Sequence, residues 1–158
     1  FSQLDTKRML PFFGDFGIIS GGDSFFFGEG REETLQSFVN IHKRLYSQFH
    51  PFYTWSDNTY ELAEFELKFN IRNEIADEPH LLLYESAKNN NILRIWWLNF
   101  FGPKLVEKFG REKLLSAPSW KTEELSDGGI MLVRSPNPFT IDEPYIKAEE
   151  IEKYLGIQ

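Results

Sequence analysis

The run from Ile92 to Phe101 limits the fold more than any other stretch, because two tryptophans, Trp96 and Trp97, stand side by side within it. Successive residues on a strand point to opposite faces of a sheet. If the run is a strand, each face receives a Trp, a side chain with about 150–250 Å² to bury. Both faces of the sheet then need covering, by helices or, for one Trp, by a partner. The run is interrupted by Arg94 and Asn99. It also falls well short of the ~18 apolar residues of a membrane span.

The rest of the pattern supplies both strands and covers. Asp15–Ser20 and Ser24–Phe27 read as a hairpin about the Gly21-Gly22-Asp23 turn. A helix is predicted over Glu32–Gln48, with Leu35, Phe38, His42, Leu45 and Phe49 at alternating steps of three and four and with Ile41 and Tyr46 widening the stripe. Phe52–Trp55 reads as a strand. Glu61–Ile75 fits a helix through Leu62, Phe65 and Phe69, and a strand through Phe65, Leu67, Phe69 and Ile71. Leu81–Glu85 and Ile92–Leu98 read as a hairpin turned by Asn89-Asn90-Asn91. Gly102-Pro103 opens a short helix that Gly110 caps, and Arg111–Leu115 adds another turn. Lys121–Leu125 and Gly129–Arg134 pair across Ser126-Asp127-Gly128, and a last helix runs from Pro144 to Leu155. Strands and helices mix without regular βαβ alternation, which indicates α+β: a single domain over residues 1–158, mainly antiparallel sheet with helices packed against it.

With 41% hydrophobic and 26% charged residues, the chain is globular rather than disordered. It has no cysteine, hence no disulfide framework and no thiolate metal site, and no glycosylation sequon. No leader peptide is visible, and the chain begins at Phe1 rather than Met, which leaves open residues ahead of it. A cytoplasmic location is the expectation. The net charge of −7 and the lack of a dense Lys/Arg cluster argue against nucleic acid as a partner. Between Asp57 and Glu85, eight acids (Asp57, Glu61, Glu64, Glu66, Glu74, Asp77, Glu78, Glu85) stand against two bases, Lys68 and Arg72. Such a stretch is a solvated acidic face or a surface for a basic partner.

Catalytic signatures are missing. His42, His50 and His80 are scattered, with no metal-ligand spacing, and His42 lies on an apolar helix stripe where a core histidine belongs. Asp15-Phe16-Gly17 matches the kinase triplet by letters alone, in a chain too short for a kinase. Gly28-Glu29-Gly30 before a helix could cradle an anion, but acids surround it. The Glu123-Glu124 pair means little where acids are abundant. No catalytic residue, cofactor or metal is expected.

The stretch Trp97-Leu98-Asn99-Phe100-Phe101-Gly102-Pro103-Lys104-Leu105-Val106-Glu107-Lys108-Phe109-Gly110 resembles a segment of bacterial immunity proteins. The likeness continues through Asp127-Gly128-Gly129-Ile130-Met131-Leu132-Val133 and Tyr154-Leu155-Gly156-Ile157, and Phe26–Glu32 is similar to the entry into the first helix. The family it resembles is immunity protein fifty-two, associated with polymorphic toxin and type VI secretion systems. The likeness covers Ser24 onward, with its sharp part at residues 96–133. It implies binding and occlusion of a cognate toxin, without turnover. Aromatics and acids in or beside predicted turns are then the candidate contacts: Trp55, Asp57, Asp77, Glu78, Trp120, Glu123, Glu124 and Asp127. Two other readings stay open, a small hydrolase or transferase and a peptide-binding adaptor. A cluster of polar groups in a pocket would favour the former.

Overall fold

The computed structural model describes residues 30–68, 86, 89, 91–139 and 146–157, with the side chains of Thr59, Tyr60, Leu62, Glu66 and Lys68 excepted. The N-terminal hairpin, the run Leu81–Glu85 and the candidates Asp77 and Glu78 lie outside the described residues. The elements in order are α1 (Arg31–Phe49), β1 (Tyr53–Ser56), α2 (Thr59–Lys68), β2 (Leu98–Phe101), α3 (Pro103–Phe109), α4 (Arg111–Leu115), β3 (Lys121–Glu124), β4 (Ile130–Val133) and α5 (Ala148–Leu155).

The four strands form an antiparallel sheet in the order β1-β2-β4-β3. Opposite residues share a face, and the register pairs Leu98 with Val133, Phe100 with Met131 and Phe101 with Ile130. Alternation then divides the core in two. Leu98, Phe100, Met131 and Val133 pack with Trp97 against Leu35, Val39 and Tyr46 of α1. Phe101, Ile130 and Leu132 pack with Leu105, Val106, Leu114, Ile151 and Leu155 from α3, α4 and α5. Helices cover both faces, which is the α+β arrangement expected of the tryptophan pair.

The two tryptophans reach different neighbourhoods by another route. Ile92–Trp97 is not a strand; the ladder begins at Leu98. Side chains take the place of a neighbouring strand. The N–H groups of Ile95, Trp96 and Trp97 donate to Glu152 Oε1 (2.9 Å), Asn99 Oδ1 (3.0 Å) and Asp57 Oδ2 (2.7 Å). Backbone donors satisfied in this way need no partner strand. Both neighbours of β2, moreover, are β1 and β4. The expected hairpin therefore fails in its second strand. Trp96 stacks on Trp55 at 4.1 Å between ring centroids and meets Phe65 of α2. Trp97 packs on the α1 face, its Nε1 donating to the Ser135 carbonyl at 2.8 Å.

Other boundaries move by a residue or so, except the start of the last helix, expected at Pro144. The ambiguous segment is helical through Lys68, burying Phe65 while leaving Leu67 62% exposed, and its remainder, Phe69 to Ile75, lies outside the described residues. On α1 the buried stripe is Leu35, Val39 and Tyr46, while Ile41 and Phe49 are exposed. His42 is half-buried with Nδ1 donating to the Phe38 carbonyl at 3.0 Å, and burial lowers its pKa, as befits a core histidine. The last helix starts at Ala148. Gly102 ties β2 to β1: its N–H donates to Phe52 O at 2.9 Å, and a Cβ there would lie 2.7 Å from Pro51 O.

Candidate functional site

The β3–β4 hairpin closes over the C-terminal half of α1, and between them lies a cleft of about 290 Å³. Lys43, Arg44 and His50 line one side; Glu123, Glu124 and Asp127 line the other. Lys43 pairs with Glu123, and that hydrogen bond holds the Glu123 carboxyl below its ordinary pKa. On the opposite face of β3, Arg111 of α4 grips Glu124 through Nε (2.8 Å) and Nη2, lowering its pKa likewise. The turn acid does structural work. Asp127 accepts the Gly129 N–H at 2.9 Å, the Tyr46 hydroxyl at 3.0 Å and His50 Nδ1 at 3.2 Å. Partial burial alone would raise the Asp127 pKa, but these donors outweigh it and hold it low. Tyr46 is itself pushed up, by burial first and then by Asp127. A Cβ at Gly129 would lie 2.1 Å from the Tyr46 hydroxyl oxygen, so a side chain there would push Tyr46 off Asp127. His50 caps α1 with φ 45°, and its ring is exposed.

A second constellation is buried. The Asp57 carboxylate, with 0% exposure, sits 3.9 Å from Arg134 Nη2, whose side chain is 1% exposed. Arg134 Nη2 also donates to Glu61 Oε1 at 3.0 Å, and Arg94 holds the other Glu61 oxygen. Burial pushes the Asp57 pKa up to about 6 despite the opposing Arg134 charge and the N–H groups of Asn58 and Trp97. Glu61 is less enclosed; burial raises it, but the two guanidinium groups prevail and its pKa is lowered.

The eight candidates therefore do not form one patch. Glu123, Glu124 and Asp127 fall on β3 and its turn, and Trp120 directly precedes the strand. Trp120 is 46% exposed, and its N–H continues the ladder to Arg134 O at 3.1 Å. Trp55 and Asp57 lie on the opposite edge of the sheet, about 14 Å away by strand spacing. There Trp55 stacks on Trp96, and Asp57 is a buried anchor rather than a solvated turn acid. Asp77 and Glu78 are outside the described residues. The residues that sequence reasoning missed are the helix side of the cleft, Lys43, Tyr46 and His50, and the arginines Arg94 and Arg134. A signal for Arg94 was present: a charge inside an apolar run must be paired if buried.

Among the described residues, no three His, Cys, Asp or Glu side chains gather as a metal site. No described helix is long and apolar enough to cross a membrane. Comparison of the chain with protein families, with characterised proteins and with solved structures gives no match.

Proposed function

We propose that this protein is an immunity protein that neutralises a cognate bacterial toxin by binding and occluding it, in the cytoplasm of the producing cell. The observation that carries the reading is the exposed β3 edge of the sheet: Trp120, 46% exposed, stands just ahead of the strand, and Glu123 and Glu124 follow along it on its two faces, each carboxylate already held by a cation. Exposed aromatic anchors and pre-positioned charges are what binding hot spots draw on. The immunity-like segments at residues 97–110 and 127–133 support the same reading. Occlusion is stoichiometric, so protection in a purified titration should end at a fixed molar ratio with toxin recovered chemically unchanged. Trp120→Ala combined with Glu124→Lys should weaken the complex while the domain stays folded, since both side chains are exposed. Asp127 is unsuited to this test because it holds the turn.

One observation favours a second reading, a hydrolase or transferase. His50 presents an exposed ring whose Nδ1 faces Asp127, in a cleft also lined by Ser47 and Ser126. A carboxylate on one imidazole nitrogen orients the other for proton transfer. Rescue at far below equimolar amounts, abolished by His50→Gln, would establish turnover and sink occlusion.

A further inference from the structure

We propose that the outer edge of β3 pairs with the same edge of a second copy of this chain, antiparallel about a two-fold axis at Thr122, so that two four-stranded sheets join into one. This inference stands apart from the toxin reading: it concerns the free chain, and a partner docked on the same edge would displace the second copy. The strand order leaves β3 with a single neighbour, β4. Which backbone groups of β3 face outward follows from the ladder. The Gly102 N–H donates to Phe52 O, so Leu98 and Phe100 bond to β1, and Asn99 and Phe101 bond to β4. Leu132 and Ile130 are thereby committed to β2, which turns the backbone groups of Met131 and Val133 to β3. The Leu125 N–H, bonded to Gly129 O at 2.8 Å, agrees. Lys121 and Glu123 therefore bond inward, and Thr122 and Glu124 aim their N–H and C=O groups away from the sheet. Among the described residues, nothing takes up those groups. The edge is also held in place: Thr122 Oγ1 donates to Leu115 O at 3.0 Å, and Glu123 is paired with Lys43.

A free edge is a template for another strand, and charges on it discourage pairing when they meet their like. Here they select one register. Outward groups must meet outward groups, so the axis passes through a residue rather than between two. An axis at Lys121 would set two lysines opposite each other; an axis at Glu123 or Glu124 would do the same with two glutamates. At Thr122 the conflict disappears. Thr122 meets Thr122 of the partner subunit, and the two exchange N–H and C=O bonds. On either side, Lys121 of one copy stands opposite Glu123 of the partner subunit, where side chains of an antiparallel pair come closest. A two-fold axis perpendicular to the sheet keeps these two side chains on one face. Lys121 and Glu123 are 41% and 34% exposed, so both can reach across. Opposite charges and paired threonines are favourable cross-strand neighbours. A strand pair this short buries less than a standard interface, so the dimer is weak and reversible.

The test is sedimentation velocity of the full chain from about 10 μM to about 1 mM, the range a small interface requires. The wild type should pass from monomer to dimer as concentration rises. Lys121→Glu and Glu123→Lys, each alone, set like charges opposite each other twice per dimer and should weaken association about ten-fold or more. An equimolar mixture of the two variants restores opposite charges at both positions, and the dimer should return as a heterodimer. Circular dichroism checks that each variant is folded. If Glu123→Lys unfolds beside Lys43, adding Lys43→Glu restores the charges of that pair, and the mixing experiment proceeds with the double variant. A wild type that stays monomeric throughout overturns the proposal. So does a dimer that both charge variants leave unchanged, which would place the contact elsewhere, and so does a mixture that associates no better than its components.

Discussion

Two sets of ion pairs hold opposite edges of the same sheet, and they differ in nearly everything but residue type. At the β3 edge, Lys43–Glu123 and Arg111–Glu124 join helices to a strand in reach of water. At the β1 edge, Asp57, Glu61, Arg94 and Arg134 join a turn, a helix and two segments flanking β2 and β4, with water nearly excluded. Exposed pairs gain little because solvent screens them. Buried pairs must offset a large loss of hydration, so each member depends on the others. The first set can be spared for recognition; the second cannot be altered without consequence for the fold.

The sharpest way to break this comparison is to remove one buried cation. Arg134→Met would leave Asp57 and Glu61 enclosed without their shared partner. The expected loss is about 3–5 kcal/mol of stability, the usual result of breaking a buried pair. Urea denaturation followed by tryptophan fluorescence would measure it. A loss below about 1 kcal/mol would mean that water reaches the network and that the two edges are alike.

The same contrast explains what could be read from the chain. Helices α1, α3 and α4 and the β3–β4 pair announce themselves by local signals: apolar periodicity, Gly102-Pro103, Gly110 and the Asp127-Gly128 turn. The hairpin part of the candidate site was legible for the same reason, since Trp120, Glu123, Glu124 and Asp127 are near in sequence. The β1 edge was not. Ile92–Trp97 looks like a strand by composition, but its donors are taken by Glu152, Asn99 and Asp57, two of them tens of residues distant. Asp57 looks like a solvated turn acid until Arg134 and the Trp97 N–H enclose it. Local pattern cannot see partners recruited across the fold, and buried polar groups depend wholly on such partners.

Proton linkage sharpens the comparison next. The Asp57 pKa is raised to about 6 in the folded protein, against an ordinary 3.8. The folded state therefore holds this proton more tightly than the unfolded chain. Its stabilising contribution is complete below about pH 4 and is lost as pH rises through about 6. The shift corresponds to roughly 2–3 kcal/mol. Glu61, Glu123, Glu124 and Asp127 have lowered pKa values and act in the opposite sense, losing stability as pH falls. The readout is accordingly the difference in unfolding free energy between wild type and Asp57→Asn. That difference should fall between pH 4 and 6 and be flat above 7. A flat difference throughout would show that Asp57 titrates normally.

The smallest effect belongs to the exposed edge. Lys43→Met removes the cation beside Glu123 while keeping most of the aliphatic stem. Glu123 keeps Lys121 at 3.6 Å and remains in contact with water, so nothing is stranded. The expected change is about 0.2–1 kcal/mol, shrinking as salt is added because the pair is screened over roughly 8–10 Å. A double-mutant cycle with Glu123→Gln, in low and high salt, isolates the pair. A coupling above about 2 kcal/mol that ignores salt would place Lys43–Glu123 with the buried set. The hairpin would then be a rigid structural joint, and the charged part of its surface would have to be discounted as a recognition face, leaving Trp120 to carry it alone.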